Sequence, residues 1–250
     1  MSYTVDAVSK AIELLFVVAE GPGRGVTELA KRSGNTKARA FRLLTTLEES
    51  GLVQRTMPMA TYSLGYRALT LGASAQKQLS IITVANQLLG AIGGACNESV
   101  LVRIREGMET VCVAWWDAPH TVRIHGQLGE RRPLAAGASG KLLLAYAADD
   151  IQQAVLAGKL ERFTGNTIVK VAELKKELKT IVAAGVSLSV GEQTVDTIAV
   201  AAPIFDAGGA VVASLAMTAP SGRVPPAALE QHIATIKDGA LRFSRALGYP

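Results

Sequence analysis

Three cations stand close together in the run Thr36-Lys37-Ala38-Arg39-Ala40-Phe41-Arg42-Leu43-Leu44-Thr45. Fixed positive charge beside small and hydroxyl side chains suits the reading of nucleic acid. A guanidinium such as Arg39 or Arg42 can donate two hydrogen bonds to the edge of guanine, while an ammonium such as Lys37 neutralises phosphate. Arg55 and Tyr62, further along, are of types that touch a DNA backbone or a minor groove. A second run, Gly137-Ala138-Ser139-Gly140-Lys141, has the outline of a nucleotide phosphate loop. That loop needs glycine where Ala135 stands and Ser or Thr where Leu142 stands, so nucleotide binding is not expected. His120, His125 and His232 lack metal-ligand spacing, and Cys96 and Cys112 form no Cys-x-x-Cys pair. No Gly-x-Ser-x-Gly elbow occurs. The expectation is therefore a chain without metal, cofactor or enzymatic activity.

The elements that must carry the cationic run follow from hydrophobic spacing. Val5, Val8, Ile12, Leu15, Phe16 and Ala19 recur at helical intervals and predict an amphipathic helix over 4–19, ended by Gly21-Pro22-Gly23. Thr27 is placed to cap a short helix, 28–32, and Ser33-Gly34-Asn35 makes a turn. A third helix spans 36–50 and stops at Gly51. Its inward face is Ala40, Leu43, Leu44 and Leu47, so Ala38, Arg42 and Thr45 face outward, flanked by Lys37, Arg39 and Phe41. The free N–H groups near Thr36 and Lys37 also favour phosphate. Two short strands, 52–56 and 61–64, complete the order of a winged helix-turn-helix. The expected DNA-binding set is Thr27, Thr36, Lys37, Ala38, Arg39, Phe41, Arg42, Thr45, Arg55 and Tyr62.

Residues 66–94 are again helical in pattern and predict a linker helix region whose apolar stripe could pair two protomers. Beyond it, strands are expected at 98–104, 109–116, 121–125, 186–190, 195–202 and 209–218. Helices are expected near 139–147, 149–156, 171–184 and 226–247, with Asp149-Asp150 capping the second of these. The fold class is α+β, built on an antiparallel sheet. The domain limits are 1–65 for DNA binding, 66–94 for the linker and 95–250 for the remainder.

Charge distribution agrees with a divided function. The 250-residue chain carries a formal net charge of +5. Seven basic residues oppose three acidic ones between Arg24 and Arg55, whereas sixteen oppose fifteen from Ile81 onward. A basic first quarter on a near-neutral remainder suggests a nucleic-acid-binding module joined to something else. No apolar run reaches the roughly 18 residues of a membrane span, and the N-terminal apolar stretch has no cleavage site. With two cysteines, the expected setting is cytoplasmic and free of disulfides.

Several segments in order then carry a resemblance. Val26-Thr27-Glu28-Leu29-Ala30-Lys31, Arg42-Leu43-Leu44, Leu47-Glu48-Glu49-Ser50-Gly51-Leu52-Val53 and Tyr62-Ser63-Leu64-Gly65 resemble the DNA-binding half of the IclR family of bacterial transcriptional regulators. Gly129-Glu130-Arg131-Arg132-Pro133-Leu134, Ala138-Ser139-Gly140-Lys141 and Ala201-Ala202-Pro203-Ile204-Phe205-Asp206 resemble its second half. The resemblance implies a winged helix-turn-helix, a linker helix and a GAF-like α/β effector domain that also oligomerises. It further implies a homodimer or homotetramer on double-stranded operator DNA. Such a protein would repress a catabolic operon under control of a small organic acid or aromatic effector, here a carboxylate. One departure stands out. The family's recognition helix commonly reads Lys-Ser-Thr-x-His/Tyr-Arg, and Lys37-Ala38-Arg39-Ala40-Phe41-Arg42 loses both hydroxyls, which alters the operator that would be read.

The resemblance also implies an effector pocket. Ala138, Ser139 and Gly140 would supply helix N-terminal N–H groups to a carboxylate. Ser189, Glu192, Ala199, Ala216 and Thr218 would form the opposite wall, with Leu101 and Trp115 as apolar floor. Alternation sends only one of Trp115 and Trp116 inward. Two rivals remain: a small-molecule-binding signalling protein whose N-terminal helices make protein contacts only, and a hydrolase with Ser139 as nucleophile.

Overall fold

The structure is a computed structural model that describes residues 4–78 and 80–250. The chain forms two compact units, Met1–Leu79 and Ser80–Pro250.

The first unit runs α1 (Asp6–Glu20), β1 (Arg24–Gly25), α2 (Val26–Arg32), α3 (Lys37–Glu49), β2 (Val53–Thr56), β3 (Thr61–Leu64) and α4 (Tyr66–Gln78). The short strands make an antiparallel sheet in the order β1-β3-β2. Ala40, Leu44 and Leu47 of α3 pack with Leu14, Val18, Leu29, Val53 and Tyr62 into one small core. Thr36 starts α3: its backbone is extended and its Oγ1 accepts from the Arg39 N–H at 3.3 Å. Gly51 follows α3 with φ +75°, a conformation that costs glycine little. Thr36→Ala is expected to cost about 0.5–2 kcal/mol of helix stability. Loss of helical signal at lower temperature, with the second unit's tryptophan fluorescence unmoved, would show it.

Two expectations are corrected here. Thr27 is not a cap: the N-cap of α2 is Gly25, no side chain caps it, and Thr27 lies exposed within the helix. The apolar stripe Val5, Val8, Ile12 and Phe16 does not face the core; Phe16 is 66% exposed. At about 100° per residue, Leu14 and Val18 lie on another side of α1, and that side is fully buried. The expected linker region 66–94 is helical on both sides of Leu79, as α4 (Tyr66–Gln78) and a helix over Ser80–Cys96. Leu79, between them, falls outside the described residues.

The second unit contains α5 (Ser80–Cys96), β4 (Ser99–Glu106), β5 (Glu109–Trp116), β6 (Arg131–Pro133), α6 (Ala138–Ala145), α7 (Asp149–Ala157) and α8 (Val171–Ala184). It continues with β7 (Ser187–Val190), β8 (Thr197–Phe205), β9 (Val211–Pro220) and α9 (Pro226–Ala246). Its six strands pair antiparallel in the order β6-β5-β4-β9-β8-β7. Strand alternation divides the core between the two faces. Val100, Val102, Leu215 and Met217 pack with Ile92 of α5 and Phe243 of α9. Leu101, Ala201 and Ala216 face the other way, toward Leu142 of α6 and Leu174 of α8.

Residues 121–125 are not a strand. The edge beside β5 is taken by β6, with Thr110 opposite Arg132. The 117–126 segment is instead tied down by side chains: Ser99 Oγ donates to the Ile124 carbonyl at 3.0 Å and Arg223 Nη1 to the Val122 carbonyl at 2.8 Å. Asp149 and Asp150 sit in the first turn of α7 behind an Ala148 N-cap and do not cap it. Charge at that position still favours the helix N-terminus.

Candidate functional site

The outward face of α3 is a row of exposed side chains: Lys37, Ala38, Arg39, Phe41 and Arg42. Among the described residues no carboxylate lies within ion-pair distance of Lys37, Arg42 or Arg55, whereas Arg39 has Asp6 at 3.6 Å. Phe41 is 48% exposed, an apolar group placed to meet a thymine methyl. Thr45 is half-buried and its hydroxyl donates back to the Phe41 carbonyl at 3.0 Å. Arg55 is exposed on β2. Tyr62, opposite it on β3, is only 2% exposed, so it is a core residue and does not reach a groove. Its ring centroid lies 6.0 Å from the Arg55 guanidinium and supports it from below. The turn between the strands exposes Met57 and Met59, which the charge pattern did not single out.

The second unit holds a cavity of about 310 Å³ between the sheet, the start of α6 and the 123–126 segment. Leu101, Trp115, Ala138, Ser139, Gly140, Ser189, Ala199, Ala216 and Thr218 all line it. Gly140 permits the close approach of α6, because a Cβ there would stand 2.8 Å from the Pro133 carbonyl oxygen.

Glu192 is the exception. Its Oε1 accepts from Lys141 Nζ at 2.6 Å, and its Oε2 accepts from the Gly137 N–H at 3.2 Å. Lys141, 1% exposed, also donates to Glu177 at 2.8 Å and to the Leu188 carbonyl at 2.9 Å. Glu192 therefore stands behind the wall and positions the start of α6. A buried carboxylate needs such partners, and no spacing signal marks Lys141 as turning inward.

Spacing also missed the polar end of the cavity, which consists of Arg103, Glu130, Arg132 and Gln193. Arg103 is 4% exposed, and its guanidinium meets the Glu130 carboxylate, the Glu130 carbonyl at 3.2 Å and Thr110 Oγ1 at 3.2 Å. Arg132 donates twice to Glu130 Oε1, at 3.0 and 2.8 Å. Burial pushes the Glu130 carboxyl upward, but the two guanidiniums outweigh it and hold the group below its ordinary range. Burial lowers Arg103, with Glu130 among the groups opposing the shift.

The 123–126 segment covers this space. Asp117 Oδ1 gathers Trp115 Nε1 at 3.0 Å, Arg123 Nε at 3.2 Å and His125 Nδ1 at 3.3 Å. The Trp115 hydrogen bond leads the causes that hold Asp117 below its ordinary value. Both cysteines are free and buried, and burial pushes the Cys96 thiol up to about 12, away from reactivity.

Comparison with known proteins adds to this geometry. The family model described as the bacterial transcriptional regulator IclR C-terminal matches residues 73–245, and the IclR helix-turn-helix domain matches residues 7–56. The HTH-type transcriptional regulator KipR of Bacillus subtilis is 29% identical over 243 residues, covering 97% of each chain. The HTH-type transcriptional regulator KdgR of Escherichia coli is 27% identical over 247 residues, covering 98% of this chain and 94% of that protein. A solved IclR transcriptional regulator from Alicyclobacillus acidocaldarius superposes with a TM-score of 0.90 at 25% identity, covering 98% of this chain and all of the other.

Proposed function

The chain belongs to the IclR family and is a DNA-binding transcriptional regulator with a C-terminal effector-binding domain, and from that premise we propose how its own residues do the work. Residues 1–65 bind operator DNA, 66–94 connect, and 95–250 bind the effector and oligomerise. Lys37, Arg42 and Arg55 neutralise phosphates, while Ala38, Arg39 and Phe41 read base edges from α3 in the major groove. The observation that carries this is the exposed cationic face of α3, on which Lys37 and Arg42 have no ion-pair partner among the described residues and only Arg39 shares its charge, with Asp6. Thr36 acts as the cap of α3, and Thr45, further along the helix, as a secondary contact. The exposed stripe Val5, Val8, Ile12 and Phe16 suits a second copy of the chain, so the working form is a homodimer or homotetramer in the cytoplasm.

The effector is a small carboxylic acid or an aromatic acid. The cavity has the volume for one, an apolar floor in Leu101 and Trp115, and donors at Ser139, Ser189 and Thr218. Acid binding biases the placement of the DNA-binding domains, which half-site spacing makes decisive, and the regulator represses until the acid arrives.

Fluorescence anisotropy tests the DNA half. A duplex from upstream of the protein's own gene is expected to bind more tightly than a scrambled duplex, with a steep loss on raising salt. Weak, salt-insensitive association with both would favour an N-terminal module that makes protein contacts only. The cavity binds and does not catalyse: ester or amide turnover that Ser139→Ala abolishes would contradict this.

A further inference from the structure

The polar end of the cavity holds two guanidiniums and one carboxylate. Arg103 lies on β4, two residues from Leu101, and like Leu101 it lines the cavity. It is fixed by the sheet and by Thr110. Arg132, on the edge strand β6, reaches Gln193 Oε1 through Nη1 at 2.9 Å. Gln193 in turn donates to the Ala136 carbonyl at 3.2 Å and lies against Gly137, where a Cβ would come within 2.6 Å of its Oε1. One amide thus joins the Arg132 guanidinium to the start of α6. Glu130 enters from the connection before β6, next to Gly129 with φ +81°, and its side chain keeps 30% exposure against 4% for Arg103. Arg132 keeps 35% exposure and Glu130 30%, so both reach solvent, but Arg132 is also tied to Gln193, which leaves the carboxylate as the group that can swing outward.

We propose that Arg103 and Arg132 are the acid-recognising end of the effector cavity, and that Glu130 occupies it as an internal counter-ion which the effector's carboxylate displaces. This rests on the reading of the cavity as an acid-binding site. Replacing one carboxylate by another keeps the charge-assisted hydrogen bonds to both arginines, so the exchange costs little beyond the rehydration and reordering of Glu130. A neutral amide of the same shape cannot make that exchange, because it would leave Arg103 buried without a counter-charge. The ligand class is therefore a carboxylate carried on a body small and apolar enough to lie against Leu101 and Trp115. Glu130 acts as a built-in competitor that sets the acid concentration at which the site fills.

Calorimetric titration of the full-length protein with benzoate, acetate and pyruvate tests this, with benzamide as the neutral partner of benzoate. Benzoate is expected to bind and benzamide not to bind. Glu130→Gln, which keeps shape and removes charge, is expected to tighten benzoate by about tenfold or more, and Arg132→Gln to weaken it by a similar factor. A structure of the benzoate complex is expected to show Glu130 off both arginines. If acids bind but Glu130→Gln leaves affinity unchanged, or Glu130 stays on both arginines in the complex, the displacement is overturned while the effector reading stands. If none of the three acids binds either the natural protein or Glu130→Gln, the acid-binding reading falls and this proposal with it.

Discussion

Replacing Arg42 by alanine is expected to weaken binding to the operator duplex by about 1–3 kcal/mol, roughly fivefold to 150-fold. Arg42 is exposed on α3, outside the Ala40, Leu44 and Leu47 contacts that hold the helix, so the loss would not come from unfolding. The salt dependence tells which contact is lost. A phosphate contact would lower the slope of log affinity against log salt by about 1 and weaken all duplexes alike. A base contact would leave the slope nearly unchanged and relax selectivity at one position. Arg39, whose charge is shared with Asp6 at 3.6 Å, is expected to lose less to phosphate and more to sequence choice. Unchanged affinity in Arg42→Ala would remove the outer face of α3 from the interface.

Lys141→Ala is expected to destabilise the second unit by about 3–5 kcal/mol, the range for removing one partner of a buried ion pair. All three ammonium hydrogens of Lys141 have acceptors, in Glu177, Glu192 and the Leu188 carbonyl. Without the lysine, Glu192 keeps a buried charge with the Gly137 N–H as its remaining partner at 3.2 Å. Both tryptophans of the chain, Trp115 and Trp116, belong to this unit, so the midpoint of their fluorescence in a urea titration reports it separately from the DNA-binding unit. Lys141→Met combined with Glu192→Gln is expected to recover part of the loss, because it keeps volume and removes the stranded charge. Equal destabilisation in the single and double variants would mean that packing, not charge, is what the lysine supplies.

The helices and strands that pack on a single face were legible from spacing. Leu43, Leu44 and Leu47 oriented α3, and strands were expected at 98–104 and 109–116, where β4 and β5 lie. Where two apolar faces share a helix, spacing could not choose between them. In α1 the stripe from Val5 to Phe16 is longer than the pair Leu14 and Val18, yet the pair is buried. Residues 121–125 have β-branched character but lack a neighbouring edge, because β6 occupies it. Tyr62 read as a surface contact because its type is amphipathic, and only the pairing of β3 turns it inward.

The site divides in a similar way. Small and hydroxyl residues around the start of α6 came from a resemblance in order and type. The charged end did not, because Arg103 on β4 and the Glu130–Arg132 segment are two stretches that only the β4–β5–β6 register brings together. One signal was available: Arg103 continues the phase of Leu101, so a charge was due on a buried face. Glu192 had the right location and the wrong partner, since nothing in the sequence reveals that Lys141 claims it.

The central claim is that the cavity and α3 are energetically coupled. The most direct measurement is the affinity of a carboxylate probe such as benzoate for the free protein and for the protein saturated with its operator duplex. Linkage requires the ratio of the two affinities to equal the ratio by which the acid changes DNA binding. A coupling of about 1–3 kcal/mol, seen as a fivefold or greater difference in acid affinity, is the predicted result. Tight binding of the acid with equal affinity in both states would contradict the account, because no such ligand could shift the protein on or off its DNA.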